Sequence, residues 1–401
     1  MPTNISSAAP KSPAAIWKSI SCRGASQIGR FGHGNRGLVA GPSVILDAAS
    51  DTGNAFSGSR NMEVLMRARE IGPLTLTWLV VLLFMSKVAV AQTPSPALLV
   101  LEKEDRSLAI VDPISLRIVS RISAGEDPHE IAVTDEGTVA YISNYGAFST
   151  PQHTLSVIDL VAQKTLPAVN LGGLRAPHGL AWVTGRVYFT AEGSKAIGRY
   201  DPSSQQIDWV LGIGQNRTHM LVVAKDASRI FTSNVNSDSI SVLDHDKKGD
   251  ASGWTLTQIP VGKGPEGFDV SPDGSELWVA NSHDGTVSII DVASRKVAHT
   301  LDLHTKSANR LKFTPNGNLV LISDLGTGDL TVLDTAAQKE RRRISLGRAA
   351  AGILIAPDGS HAYVALPRDN CIAVVDLKTL SVTGRIETGK GPDGMTWAVR
   401  R

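Results

Sequence analysis

Cysteine is almost missing from this sequence: 401 residues hold two, Cys22 and Cys371. That excludes a disulfide-stapled scaffold and a paired-cysteine metal site. Cys371, followed by Ile372 and Ala373, reads as a small buried apolar residue rather than a nucleophile. Charge is sparse as well, with charged residues at 19% and a formal net charge of +2. The small positive excess belongs to one end. Residues 1–91 carry nine Lys/Arg and four Asp/Glu, which leaves 31 basic and 34 acidic residues, a balance of −3, in the remainder. A nearly neutral body carries no electrostatic footprint for nucleic acid. Aromatics are only 5%. Haem-attachment, phosphate-loop and serine-elbow motifs are absent too. What the sequence does have is a 42% hydrophobic share and 37 glycines. Short apolar runs broken by many glycines suit an all-β chain with many turns.

The N-terminal part stands apart from that pattern. Residues 74–85 form an apolar stretch of about twelve residues, short of the roughly 20 needed to span a bilayer. Arg67 and Arg69 precede it, and Ala89-Val90-Ala91 supplies a small-x-small cleavage signature. Residues 62–91 therefore read as a secretory signal peptide cleaved after Ala91, with an uncleaved anchor as the alternative. The expected location is periplasmic or extracellular, with no membrane span after cleavage. Residues 1–61, rich in Ser, Ala, Gly and Pro and without periodicity, read as a disordered extension or as sequence upstream of a misassigned start. Residues 92–97 read as a linker, and residues 98–401 as the folded domain.

From Leu98 onward an alternating apolar strand ending in Asp returns seven times, for example Leu108-Ala-Ile-Val-Asp112, Ile240-Ser-Val-Leu-Asp244 and Val287-Ser-Ile-Ile-Asp291. The seven aspartates, from Asp112 to Asp376, are spaced by 47, 42, 43, 47, 43 and 42 residues. One unit shows four strands: 266–271, 276–281, 286–291 and 296–303, with Pro272-Asp273-Gly274 as a turn. This period with four short strands predicts β-propeller blades. The terminal segments 98–102 and 394–399 complement each other as a second and a first strand. They are expected to share one blade, which removes open sheet edges. The fold class is all-β: a seven-bladed propeller of four-stranded antiparallel blades. Each closing Asp reads as a turn former that bonds the backbone two residues on. Trp182, Trp278 and Trp397 read as packing between blades. The basic run at 339–343 reads as a solvated outer edge.

The stretch Gly262-Lys-Gly-Pro-Glu-Gly-Phe-Asp-Val-Ser-Pro-Asp-Gly274, with Leu-Trp-Val-Ala-Asn281 and Thr286-Val-Ser-Ile-Ile-Asp291, resembles the YVTN-repeat β-propeller family. The resemblance covers about three quarters of the chain and departs most around residues 178–211, where a Trp-Val-Thr-Gly turn replaces Pro-Asp-Gly. It implies a fold and leaves function open, because such propellers serve many tasks.

In a propeller the starts of the inner strands and the ends of the second strands converge on one mouth of the axial channel. Aligned at the start of the inner strand, the repeats present His129, His178, His219, Glu266, Asn309, Ala351 and Asp393, with Arg310 beside Asn309. Aligned at the end of the second strand, they present Glu102, Asn144, Glu192, Asn234, Asn281, Asp324 and Leu366. The expected ligand-binding set is His129, His178, His219, Glu192, Asn234, Glu266, Asn281, Asn309, Arg310, Asp324 and Asp393. The three histidines are the candidate ligands for a divalent metal. Without a metal, a His general base is an alternative, and so is a wet channel whose polar groups bond only water and loop backbone.

Three functions fit these residues. The leading one is an exported, monomeric propeller binding a small molecule or protein at the channel mouth. The second is a metal-assisted lyase or hydrolase; within the resemblance, streptogramin lyases and several lactonases offer precedents. The third is an accessory subunit of a periplasmic redox enzyme.

Overall fold

The repeat is fixed first by its turns. Gly274, Gly317 and Gly359 close the turn between inner and second strands at φ of 76°, 74° and 72°, a region glycine enters without a Cβ clash. The blade that lacks Pro-Asp-Gly uses Thr184 and Gly185, at φ of 49° and 74°. Two successive left-handed residues give the type I′ geometry of a tight hairpin. The computed structural model describes residues 92–147, 149–245 and 253–401. The expected signal peptide and the segment before it lie outside the described residues.

The described strands form seven four-stranded antiparallel sheets, so the chain is a seven-bladed β-propeller. Blade 1 closes the ring. Its inner strand is Pro392–Ala398, followed outward by Ala97–Glu102, Ser107–Asp112 and Arg117–Ser123. The two termini pair in register, Leu98 opposite Trp397 and Leu99 opposite Thr396, as the sequence predicted. Blades 2 to 7 follow in chain order, with inner strands Pro128–Val133, Pro177–Val183, Thr218–Val223, Pro265–Val270, Ala308–Phe313 and Ile353–Ile355. The unit read in the sequence becomes blade 5, with Glu276–Asn281, Thr286–Asp291 and Lys296–Asp302 outside its inner strand.

Alternation along each strand sends apolar side chains to both faces of a blade, and each face packs on the next blade. The buried apolar residues accordingly fall into seven clusters, one between each pair of neighbouring blades. Fully burying a Leu or Ile side chain stabilises by about 1.5–3 kcal/mol, so the ring is held by its interfaces. The three tryptophans act across those interfaces. Trp278 meets Phe313 of blade 6 with ring centroids 5.7 Å apart, Trp182 stacks on Tyr141 of blade 2 at 5.9 Å, and Trp397 meets Tyr363 of blade 7 at 5.4 Å. Cys371 is buried and free, and burial pushes its thiol pKa up.

Six of the seven closing aspartates accept backbone N–H groups two or three residues on: Asp112, Asp159, Asp201, Asp291, Asp334 and Asp376. Asp244, whose residues two and three on lie outside the described ones, pairs with Arg295 at 2.7 Å. No helix among the described residues is long and apolar enough to cross a membrane. Because the core lies between blades, the axis is left to polar side chains.

Candidate functional site

The site begins with a fault in the inner ladders of blades 1 to 6. In blade 2, Pro128 pairs with Asn144 and Ile131 with Ile142, so His129 and Glu130 together oppose Ser143. The same two-against-one bulge sets His178 and Gly179 opposite Thr190, and His219 and Met220 opposite Ser233. It recurs with Glu266 and Gly267 opposite Ala280, Asn309 and Arg310 opposite Ser323, and Asp393 and Gly394 opposite Leu101. A bulge bends its strand and re-aims side chains. Here it sends them to the axis, where residues from different blades meet.

Hydroxyls opposite the bulge hold it in place. Thr190 Oγ1 accepts the Gly179 N–H at 2.9 Å and donates to the His219 carbonyl of blade 4 at 2.6 Å. Ser233 accepts from Met220 N–H at 3.2 Å and donates to the Glu266 carbonyl of blade 5 at 3.0 Å. Ser323 accepts from Arg310 N–H at 3.0 Å and donates to Ala351 of blade 7 at 2.6 Å. Each hydroxyl thus satisfies the extra N–H of its own bulge and ties the site backbone of the next blade.

The three histidines predicted from the repeat do come together. The rings of His129 and His178 have centroids 4.7 Å apart, and those of His178 and His219 are 3.7 Å apart. Their partners differ. His219 presents Nδ1 to Glu192 Oε1, while Glu266 Oε1 lies 2.9 Å from its Nε2. Burial lowers the His219 pKa, but the Glu266 and Glu192 carboxylates outweigh it and raise the value to about 9. Glu266 is pushed up by burial, yet His219 and Arg217 bring it down to about 2. His178 is 1% exposed, and its Nδ1 has no partner. Burial, with the neighbouring His219 and His129, holds His178 well below the usual imidazole range. His129 has Nδ1 3.2 Å from the Asp127 carbonyl and Nε2 3.5 Å from Lys103 Nζ. Burial and the Lys103 charge lower it to about 3. Donor atoms of His178, Glu192 and His219 lie within 4.8 Å of one another, and His129 is not of that group. Two of the three expected histidines thus group with a glutamate.

Further charged pairs surround the axis. Arg310 of blade 6 reaches Glu130 of blade 2 at 2.6 Å, and its guanidinium also lies 3.4 Å from the Asn309 side-chain oxygen. Asp393 pairs with Lys103 at 2.9 Å. Burial pushes Asp393 up, but Lys103 and Arg310 hold its carboxyl far below the usual range. Arg217 lies between Glu192 at 3.7 Å and Glu266 at 3.5 Å.

The second-strand set divides differently. The residues opposite Pro128, Thr218, Pro265 and Ala308 are Asn144, Asn234, Asn281 and Asp324, but the one opposite Pro177 is Ala191. Glu192 is therefore one residue beyond the position it was aligned to. The aligned residues bond within their own blade and its loops. Asn234 donates to Ser241 at 2.8 Å, Asn281 to Ser288 at 2.9 Å, and Asp324 accepts the Lys306 and Ser307 N–H groups at 2.7 and 3.0 Å. The position one residue later is the one that meets the inner-strand groups: Lys103, Tyr145 and Glu192. Tyr145 Oη donates to Glu192 Oε2 at 2.8 Å. Tyr145, Lys103, Arg217, Asp127 and Glu130 were not among the predicted residues. The 47-residue spacing between Asp112 and Asp159 marks the longer blade that carries Tyr145.

That longer spacing builds a hairpin from strands Val139–Ala147 and Thr150–Asp159, of nine and ten residues where most have six or seven. It leans on the inner strand of blade 3. With Ala147 and Pro151 it walls a recess of about 680 Å³, completed by Tyr145, Glu192, Lys195, Asn216, Arg217 and Asn236.

No family model matches the chain. Over 157 residues it is 26% identical to a seven-bladed β-propeller protein of Mycobacterium tuberculosis, covering 38% of this chain and 40% of that one. Over 94 residues it is 29% identical to an antigen of Leptospira interrogans, covering 23% and 21%. The chain thus spans well under half the length of these relatives. Among solved structures it is similar to the periplasmic gluconolactonase of Pseudomonas aeruginosa, with a TM-score of 0.63, 14% identity, and coverage of 77% of this chain and 100% of the other. That likeness is one of fold.

Proposed function

We propose that this chain is an exported β-propeller that captures a small, oxygen-rich molecule at the channel mouth. The recess beneath the blade 2 hairpin carries the reading. Its volume of about 680 Å³ lies within the roughly 300–1,000 Å³ of small-molecule sites, and it is concave where a protein partner would favour a broader face. Lys195 and Arg217 supply cationic donors, Asn216 and Asn236 neutral ones, and Tyr145 an aromatic wall. Carboxylate and hydroxyl groups match that lining.

A thermal-shift screen of small hydroxy acids and sugar acids tests this. A compound at 100 times its Kd adds about 2.7 kcal/mol to stability. The expected hit stabilises the wild-type chain and not Arg217→Ala or Lys195→Ala. Hits that stabilise all three chains equally, or their absence across the screen, overturn it. Export rests on the 62–91 segment, and its test is a mature N-terminus at Gln92.

A second reading, a metal-assisted lyase or hydrolase, is favoured by the grouping of His178, Glu192 and His219. The likeness in fold to a periplasmic gluconolactonase supports this reading at the level of architecture.

A further inference from the structure

The geometry points to a divalent transition-metal site formed by His178, Glu192 and His219, with Glu192 joining it to the recess. It rests on the mouth being the functional face, and it names what anchors the molecule bound there. Four observations converge. The donors come from three separately held places, the bulges of blades 3 and 4 and the 3₁₀ turn Glu192–Ser194, and they approach within 4.8 Å of one another. Two histidines and a glutamate with a position left open is a ligand set of catalytic zinc sites.

The second observation is an orphan. His178 Nδ1 is buried with no partner, and leaving a buried polar atom unpaired costs free energy. An ion beside it removes that cost.

The third is the support behind the donors. Tyr145 Oη holds Glu192 at 2.8 Å, and Glu266 sits 2.9 Å from His219 Nε2, on the far side of the ring from Glu192. A carboxylate on the second nitrogen of a histidine is the usual way to orient a metal-binding imidazole.

The fourth is charge. Arg310 is matched by Glu130 and Lys103 by Asp393. Arg217 alone faces both Glu192 and Glu266. When a metal replaces the proton of His219, Arg217 balances one of these two carboxylates and the other offsets the cation.

His129 is excluded as a ligand because its Nε2 faces the Lys103 ammonium at 3.5 Å and its Nδ1 faces the Asp127 carbonyl. Two imidazole donors also separate the site from Ca²⁺ and Mg²⁺, which take oxygen ligands, and favour Zn²⁺ or a similar ion.

The test uses the full purified chain, stripped with chelator and titrated with Zn²⁺ by calorimetry, with Co²⁺ absorption as a second readout. One equivalent is expected. Glu266→Gln and Tyr145→Phe should each weaken Zn²⁺ binding about 10–100-fold. His178→Ala and Glu192→Gln should weaken it further, and His129→Ala should leave it within about threefold of wild type. Circular dichroism checks the fold of each variant, and Tyr145→Phe, which removes one hydroxyl, reports even where a ligand variant does not fold. Absence of stoichiometric Zn²⁺ and Co²⁺ binding overturns the site, as does a loss in His129→Ala equal to that in His178→Ala. Chelated protein that still binds a screened small molecule through Arg217 overturns the metal while leaving the mouth reading standing. Metal binding with no small-molecule hit does the reverse.

Discussion

Arg310 and Glu130 stand 180 positions apart in the chain and meet at 2.6 Å across the propeller axis. Their side chains are 7% and 17% exposed, so water does little to screen them. A buried ion pair resists loss of one partner far more than replacement of both. Arg310→Met alone should therefore lower unfolding stability by about 3–5 kcal/mol. Arg310→Met with Glu130→Met should recover a large part of that loss. Urea denaturation of the two single variants and the double variant measures the coupling. Additive losses would sink the idea that the pair acts as a unit.

The hydroxyls that hold the bulges should behave alike. Thr190→Val leaves the Gly179 N–H and the His219 carbonyl without their side-chain partner. The expected cost is about 1–3 kcal/mol, readable as a lower melting temperature. Ser233→Ala should fall in the same range. Blade 5 carries Ala280 at this position, so Ala280→Gly there should cost a buried methyl and glycine's backbone entropy, with no such bond lost.

Acid should weaken the ring through Asp393. Its folded pKa is depressed far below that of an unfolded Asp, because Lys103 and Arg310 outweigh its burial. A depressed carboxyl contributes stability above its unfolded pKa, about 3.9, and loses it as pH falls toward the folded value. The gap in unfolding free energy between wild type and Asp393→Asn should therefore be constant from neutral pH down to about 5 and shrink below about 4. A gap that stays constant through pH 3 would contradict this.

Close approach of neighbouring inner strands depends on glycine beside the site. A Cβ on Gly394 would lie 2.1 Å from the His129 carbonyl, and one on Gly352 would lie 2.1 Å from the Asp393 carbonyl. Gly394→Ala must push blades 1 and 2 apart at the axis. The expected loss is about 1–3 kcal/mol, with a larger effect on ligand binding at the mouth than from a distant substitution such as Gly212→Ala, whose added Cβ meets open space. Calorimetric melting and the mouth-binding assay check both parts.

The blade count, the shared closing blade, the turn role of the closing aspartates and the inter-blade tryptophans were legible in the sequence. Each is a local property. Strand alternation has a period of two, turns need particular residues, and a repeat of 42–47 residues returns them at fixed intervals. The convergence of His129, His178 and His219 was legible for the same reason, since equivalent positions in successive blades become neighbours.

What the sequence could not decide was register at the level of one residue and contact across the axis. The alignment put Glu192 with Asn144 and Asn234, whereas strand pairing puts Ala191 there and carries Glu192 into the 3₁₀ turn facing His219. The bulge inserts one residue where the repeat pattern shows none, and it re-aims the inner-strand side chains toward the axis. Nothing local relates Arg310 to Glu130, or Lys103 to Asp393. Ring closure sets blades 2 and 6 across the axis, which joins Arg310 to Glu130, and it completes blade 1 from both ends of the propeller, which joins Lys103 to Asp393.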